Sequence, residues 1–126
     1  MQKLLFIALA SIFSMSFQVQ KDSAPIVTAL KSGNAEAVSD YFDKILDIKF
    51  PDKDEIKSIG KNQAGIALKS FFNDNKISGF ELSSRREMSG TMYVAGKLLN
   101  NGEGYKISVM LKQKDSKYQI ITVRIN

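Results

Sequence analysis

The spacing of apolar residues changes period part-way along the chain, and that change limits the folds open to it. Up to Asn73 most apolar side chains recur at helical intervals; from Lys76 onward they alternate. Tyr105, Ile107, Val109 and Leu111 alternate with Lys106, Ser108, Met110 and Lys112, which describes a strand with one buried face. Asn100-Asn101-Gly102-Glu103-Gly104 before it carries a hairpin-loop signal, and Lys114–Lys117 after it reads as a second turn. These turns place strands at Thr91–Leu99 and Tyr118–Ile125. Upstream, Phe80, Leu82 and Met88 share one parity, with Glu81, Ser83, Arg85 and Glu87 on the other, which predicts a fourth strand.

The earlier half reads differently. Asp22 or Ser23 caps a first helix, Pro25 suits its first turn, and Ser32-Gly33 ends it after Ile26, Val27 and Leu30. Asn34 caps a second helix over Ala35–Phe42, with Ala35, Val38, Tyr41 and Phe42 on its apolar stripe. Ile45–Phe50 is β-branched and aromatic, hence a strand, and Glu55–Ile59 is a second short one. A third helix is expected over Asn62–Asn73, with Ile66, Ala67, Leu68, Phe71 and Phe72 as its apolar positions. Three helices and then four hairpin-linked strands predict an α+β domain with helices packed on one face of an antiparallel sheet.

The first residues have another purpose. Lys3 is followed by the apolar run Leu4–Phe13 and by Ser14-Met15-Ser16, small residues at the two positions a signal peptidase reads. Residues 1–16 are expected to be a secretory signal and 17–22 a polar leader, leaving 23–126 as one domain. The run is shorter than the ~20 residues of a membrane span, so no transmembrane anchor is expected. The protein is expected to be exported, to the periplasm or outside the cell. The chain has no Cys, His or Trp. Disulfides, Cys/His zinc sites, haem on His or Cys, and triads built on those residues are excluded. No cofactor or metal is expected. Asp52, Asp54 and Glu55 lack a loop able to gather the six or more oxygens calcium needs. The formal charge of +5 is unevenly held, with residues 17–60 mildly acidic and 61–126 basic. The basic residues are dispersed, only Arg85 and Arg86 being adjacent, so no nucleic-acid partner is expected.

Several local strings carry a resemblance. Ala29-Leu-Lys-Ser-Gly-Asn-Ala35 stands before a helix ending Tyr41-Phe42, and Lys61-Asn-Gln-Ala64 leads into Leu68-Lys-Ser-Phe-Phe72. Tyr93-Val-Ala-Gly-Lys-Leu98 precedes a turn and Tyr105-Lys-Ile-Ser-Val-Met-Leu-Lys112, and the chain ends with Tyr118-Gln-Ile-Ile-Thr-Val-Arg-Ile125. The chain resembles a family of small exported Bacteroidota proteins of unknown function with a nuclear transport factor 2-like (cystatin-like) fold. The resemblance implies three N-terminal helices on a curved antiparallel sheet of four to six strands, a cone with room for a pocket. It transfers no activity. Enzymes of that superfamily use either a well-placed Asp with hydrogen-bond donors or a His, and the second route is closed here. Among the carboxylates only Asp47, flanked by apolar residues, remains a candidate base.

Two arginines stand out. Arg86 shares parity with Phe80, Leu82 and Met88, and Arg124 with Tyr118, Ile120 and Thr122. On an apolar face an Arg needs an acidic partner, a ligand or an escape to the rim. They define a candidate anion-binding site, Arg86 and Arg124 with Tyr93 and Tyr105 as walls. The expectation is therefore a non-enzymatic domain binding a small hydrophobic or anionic ligand in a cone-shaped pocket. The alternatives are an interaction or structural module of the envelope acting through the sheet face, and a small isomerase- or dehydratase-like enzyme. A sizeable apolar cavity marks the first; a filled interior with an exposed apolar patch or open edge marks the second. Met110, Ile121 and Val123 would leave an apolar outer face on which a homodimer could form.

Overall fold

A computed structural model describes residues 23–126; the expected signal, leader and cleavage site lie outside the described residues. Helix α1 (Ala24–Lys31) carries Pro25 in its first turn and buries Ile26, Val27, Ala29 and Leu30. Ser23 precedes it without a capping hydrogen bond from its side chain. Gly33 then takes a φ of +69°, with the Ser78 backbone directly beside it, so both the turn and the close approach require glycine there. Asn34 caps α2 (Ala35–Ser39), its Oδ1 accepting from the amides of Glu36 and Ala37 at 2.9 and 3.3 Å.

The second helix is shorter than its stripe predicts. It stops at Ser39, and Phe42 begins strand β1 (Phe42–Lys49), where it is 1% exposed. Strand β2 (Ile56–Gly60) pairs antiparallel with β1, and α3 (Lys61–Asp74) follows at once. The chain continues through β3 (Gly79–Met88), β4 (Thr91–Leu99), β5 (Tyr105–Lys114) and β6 (Lys117–Ile125). Two strands thus precede the third helix, where the sequence expects them at Ile45–Phe50 and Glu55–Ile59, and four follow it.

The six strands form one curved sheet in the order β2-β1-β6-β5-β4-β3. β3 to β6 form an antiparallel meander, but β1 runs parallel to β6, with Phe42 opposite Ile120 and Ile48 opposite Val123. The sheet is therefore mixed, where the sequence predicts an antiparallel one. The helices cover one face. Ala64, Leu68 and Phe72 of α3 meet Leu46 and Ile48 of β1 and the inward residues of the meander, Val94, Leu98, Ile107, Val109, Leu111 and Ile120, in one core. The layer between helices and sheet is filled by side chains: Leu30, Ile48, Leu98, Leu111, Ile120 and Ile125 are fully buried.

Two bulges decide which residues face that layer. Register shifts between Leu82 and Ser84 make Ser83 an extra residue in β3, and β6 carries a similar extra residue at Ile121. Each bulge reverses the facing of everything beyond it, because side-chain direction repeats every two residues. At the margin of the sheet, Lys114 Nζ meets Asp43 Oδ2 at 2.8 Å. That hydrogen bond, with help from the Lys44 amide and against the upward push of burial, holds the Asp43 carboxyl below its usual range.

Candidate functional site

The bulges separate the four residues the sequence singles out. Beyond Ser83, Arg86 stands opposite Tyr93 of β4, and Tyr93 opposite Met110 of β5, on the face turned away from the helices. Beyond Ile121, Arg124 stands opposite Ser108 on that same outer face, its Nη2 3.3 Å from Glu55 Oε2. Tyr105 lies on the helix side, opposite Leu98. Three of the four therefore share the outer face, and Tyr105 is apart from them. Arg86 and Arg124 do not occupy the apolar inner face expected of them, because a one-residue insertion in each strand turns them out. Val123 is corrected in the opposite direction: it is buried against the core, leaving Tyr93, Ala95, Met110 and Ile121 half-buried outside.

The same bulge turns Arg85 and Glu87 inward, opposite Val94 and Met92. Arg85 Nη1 donates to Ser23 Oγ at 3.3 Å, and the Tyr118 hydroxyl donates to Glu87 Oε2 at 2.9 Å. Asp47, the candidate base, accepts from the Ser58 amide at 2.9 Å, where Ser58 adopts a φ of +56°. Its carboxylate anchors the β1–β2 hairpin.

The other end of the domain holds a larger feature. Phe50 follows β1 directly, Phe71 lies on α3, and Tyr105 opens β5. On α3, Ala64, Leu68 and Phe72 make the buried stripe, which leaves Phe71 one residue round the helix at its margin. The Phe50 and Phe71 ring centroids are 5.4 Å apart with the planes tilted, and the Phe71 and Tyr105 rings meet edge to face at 5.1 Å. These rings wall a groove of about 570 Å³ that Ile56, Ala67, Ser70, Pro51 and Asn75 also line, with Asp52, Lys53 and Asp74 at its exposed rim. A neighbouring depression of about 500 Å³ shares Pro51, Asp52, Lys53 and Tyr105 and continues to Lys49, Gly104 and Asn126.

Asn75 holds the wall in place. Its Oδ1 accepts from the Tyr105 hydroxyl at 2.8 Å, and its Nδ2 donates to the Phe71 carbonyl at 2.9 Å. Its own carbonyl accepts from Asn100 Nδ2 at 3.0 Å. Asn100 Oδ1 in turn accepts from the amides of Gly102 and Gly104, which shapes the β4–β5 loop just before Tyr105. One asparagine at the end of α3 therefore fixes ring, helix end and loop together. Sequence reasoning assigned Phe71 to the core with Phe72 and gave Phe50 and Asn75 no role. The available signal was the Phe71-Phe72 pair itself, since only one of two adjacent residues can centre on a helical stripe.

Among the described residues, no group of carboxylates is placed to hold a metal ion, and no helix is long and apolar enough to cross a membrane. Comparison with known proteins places the architecture. The family model for a domain of unknown function, DUF4783, matches residues 23–126. The crystal structure of a DUF4783 family protein from Bacteroides ovatus is similar at a TM-score of 0.76 and 26% identity, over 84% of this chain and 94% of that one. One from Bacteroides fragilis is similar at 0.72 and 24%, over 80% and 93%. An NTF2-like protein of unknown function from Cytophaga hutchinsonii shares the fold at 0.58 and 11%, over 87% and 93%. No curated protein matches the chain.

Proposed function

The chain belongs to the DUF4783 family of domains of unknown function, and from that premise we propose that it is a non-enzymatic binding domain whose ligand site is the Phe50–Phe71–Tyr105 groove. The carrying observation is the three-ring wall held by Asn75. A wall fixed before binding loses little entropy when a ligand arrives. The groove's size falls in the ~300–1,000 Å³ range of small-molecule sites, and its aromatic lining with a few fixed polar atoms is the usual composition of one. The site lies at the end of the sheet, because the layer beneath the helices is already filled by side chains. A non-enzymatic role is supported by Asp47, the candidate base, which does not line the groove. Asp47 is bound to the Ser58 amide and Glu87 to the Tyr118 hydroxyl, each in a structural bond.

The test is a titration of the isotopically labelled protein with 2-naphthol, followed by amide and methyl shifts. Binding is expected to move Ala67 and Tyr105, and Phe71→Ala is expected to weaken it at least about tenfold, since a truncated aromatic anchor commonly removes ≥ 2 kcal/mol. Tyr93→Ala, on the outer face, should leave it unchanged. No binding, or equal affinity for Phe71→Ala and the unaltered protein, would sink the reading.

A second reading is favoured by the filled interior together with the half-buried Tyr93, Ala95, Met110 and Ile121 on the outer face. It is an interaction module that pairs with a second copy through that face. Light scattering at high protein concentration is then expected to give the mass of two chains, and the mass of one chain would remove this reading.

A further inference from the structure

We infer that the groove selects a small organic cation, an ammonium group carried on an aromatic or aliphatic body, over neutral and anionic molecules of the same shape. The inference rests on the groove being the ligand site and adds the chemistry of what enters it. It starts from a contrast in charge. The chain as a whole carries +5, yet the groove's ionisable lining is Asp52, Asp74 and Lys53, which is net negative. Neither Asp52 nor Asp74 has an ion-pair partner among the described residues, whereas Glu36, Asp43 and Glu55 each have one. Among the described residues, two exposed carboxylates beside an apolar wall therefore make no ion pair, on a protein that has cations to spare.

The polar atoms of the lining point the same way. The Tyr105 hydroxyl spends its only proton on Asn75, so its oxygen is left as an acceptor. The carboxylates of Asp52 and Asp74 are acceptors as well, and any ring face of the wall that is open to the groove is negative in its quadrupole. Two lysines border the region. Lys49 Nζ is drawn onto the Phe50 carbonyl and Asn126 Oδ1, at 3.3 and 3.2 Å, on the far side of Tyr105. Lys53 stands exposed between Asp52 and Asp54 in the turn. An anion would meet two carboxylates and an aromatic wall against this one exposed ammonium. A cation would meet those groups as complements, through ring-face attraction and through the rim. The three arginines do not alter this balance: Arg124 is paired with Glu55, Arg85 donates to Ser23 before the first helix, and Arg86 lies on the outer face.

Three probes that share one aromatic body separate the terms: (2-naphthylmethyl)trimethylammonium, 2-naphthylmethanol and 2-naphthoate. At low salt the ammonium is expected to bind about tenfold tighter than the alcohol, and the carboxylate to bind weakest, with the preference shrinking as salt rises. Asp52→Asn combined with Asp74→Asn should reduce the ammonium's advantage over the alcohol to what the rings alone supply, remove its salt dependence, and leave the alcohol's own affinity unchanged. Both residues are exposed, so the variant is expected to fold. Equal binding of ammonium and alcohol, tighter binding of the carboxylate, or a preference undiminished by the double substitution would overturn the inference. If the alcohol still binds in a Phe71-dependent way, the groove reading stands without it. If none of the three probes binds, both fall.

Discussion

Phe42→Ala is expected to destabilise the protein by about 4 kcal/mol, within the ~3–5 kcal/mol typical of a buried Phe truncated to Ala. Phe42 is 1% exposed and begins β1 at the corner where α2 has just ended. It stands opposite Ile120, which is itself fully buried, and the Ile120 amide donates to the Tyr41 carbonyl at 2.7 Å. The backbone on both sides of the ring is therefore held by strand pairing, and the hole left by truncation has little freedom to close. Urea unfolding is the measurement. A parallel Ile45→Ala variant supplies the contrast, because Ile45 is 58% exposed on the same strand and should change stability by no more than about 0.5 kcal/mol. A loss below about 1 kcal/mol for Phe42→Ala would mean that Phe42 is not in the core, since even one buried methylene is worth ~0.8 kcal/mol.

The second large effect comes from adding atoms. At Gly96, in the middle of β4, the Phe80 ring lies across the position where a side chain would begin: a Cβ there would come within 2.6 Å of two ring carbons and closer still to the Glu81 carbonyl oxygen. The ring has little room to retreat, being 5% exposed and flanked by Leu98, and the carbonyl belongs to the β3–β4 ladder. Gly96→Ala is therefore expected to cost about 3 kcal/mol, at the upper end of the ~1–3 kcal/mol usual for overpacking. Gly102→Ala, in the β4–β5 loop where the nearest atom is at 3.7 Å, should stay within about 0.5 kcal/mol of the unaltered protein. Equal unfolding midpoints for Gly96→Ala and Gly102→Ala would show that β3 does not lie against β4 in this register.

The sequence is informative where a signal is local. The alternation across Thr91–Leu99 and Tyr105–Lys112 is readable because each strand has one wet face and one buried face, so polarity reports direction. Asn34 is readable as a cap because its side chain acts on amides only two and three residues away. Phe42 is ambiguous locally. It fits the end of a helical stripe as well as the start of a strand, and only its pairing with Ile120, far along the chain, decides between them. The parallel joint has no local signature at all. Bulges are the sharper failure. One extra residue at Ser83 exchanges the faces of Arg85 and Arg86, and one at Ile121 exchanges Val123 and Arg124, while the sequence on either side still alternates. Of the groove's wall the sequence singles out Tyr105 alone, and there as a wall for Arg86 and Arg124. Tyr105 was found from its strand, but its neighbours Phe50, Phe71 and Asn75 come from three other places in the chain, and nothing short of the fold assembles them.

The parallel pairing of β1 with β6 also bears on how the chain acquires its structure. Strand β6, Lys117–Ile125, follows the other five in the sequence and lies between β1 and β5 in the sheet. Until it is in place, the first half of the chain has no ladder joining it to the β3–β5 meander. A chain stopped short of residue 117 would hold two sheet fragments with a gap where the central strand belongs, each presenting an unpaired edge. Assembly of a single sheet therefore waits on β6, and the contacts that join its two parts span some seventy to eighty residues of sequence. Such long-range closure is slow by the measure of contact order, and the interval before it is when an incomplete chain is most open to aggregation or capture by a chaperone.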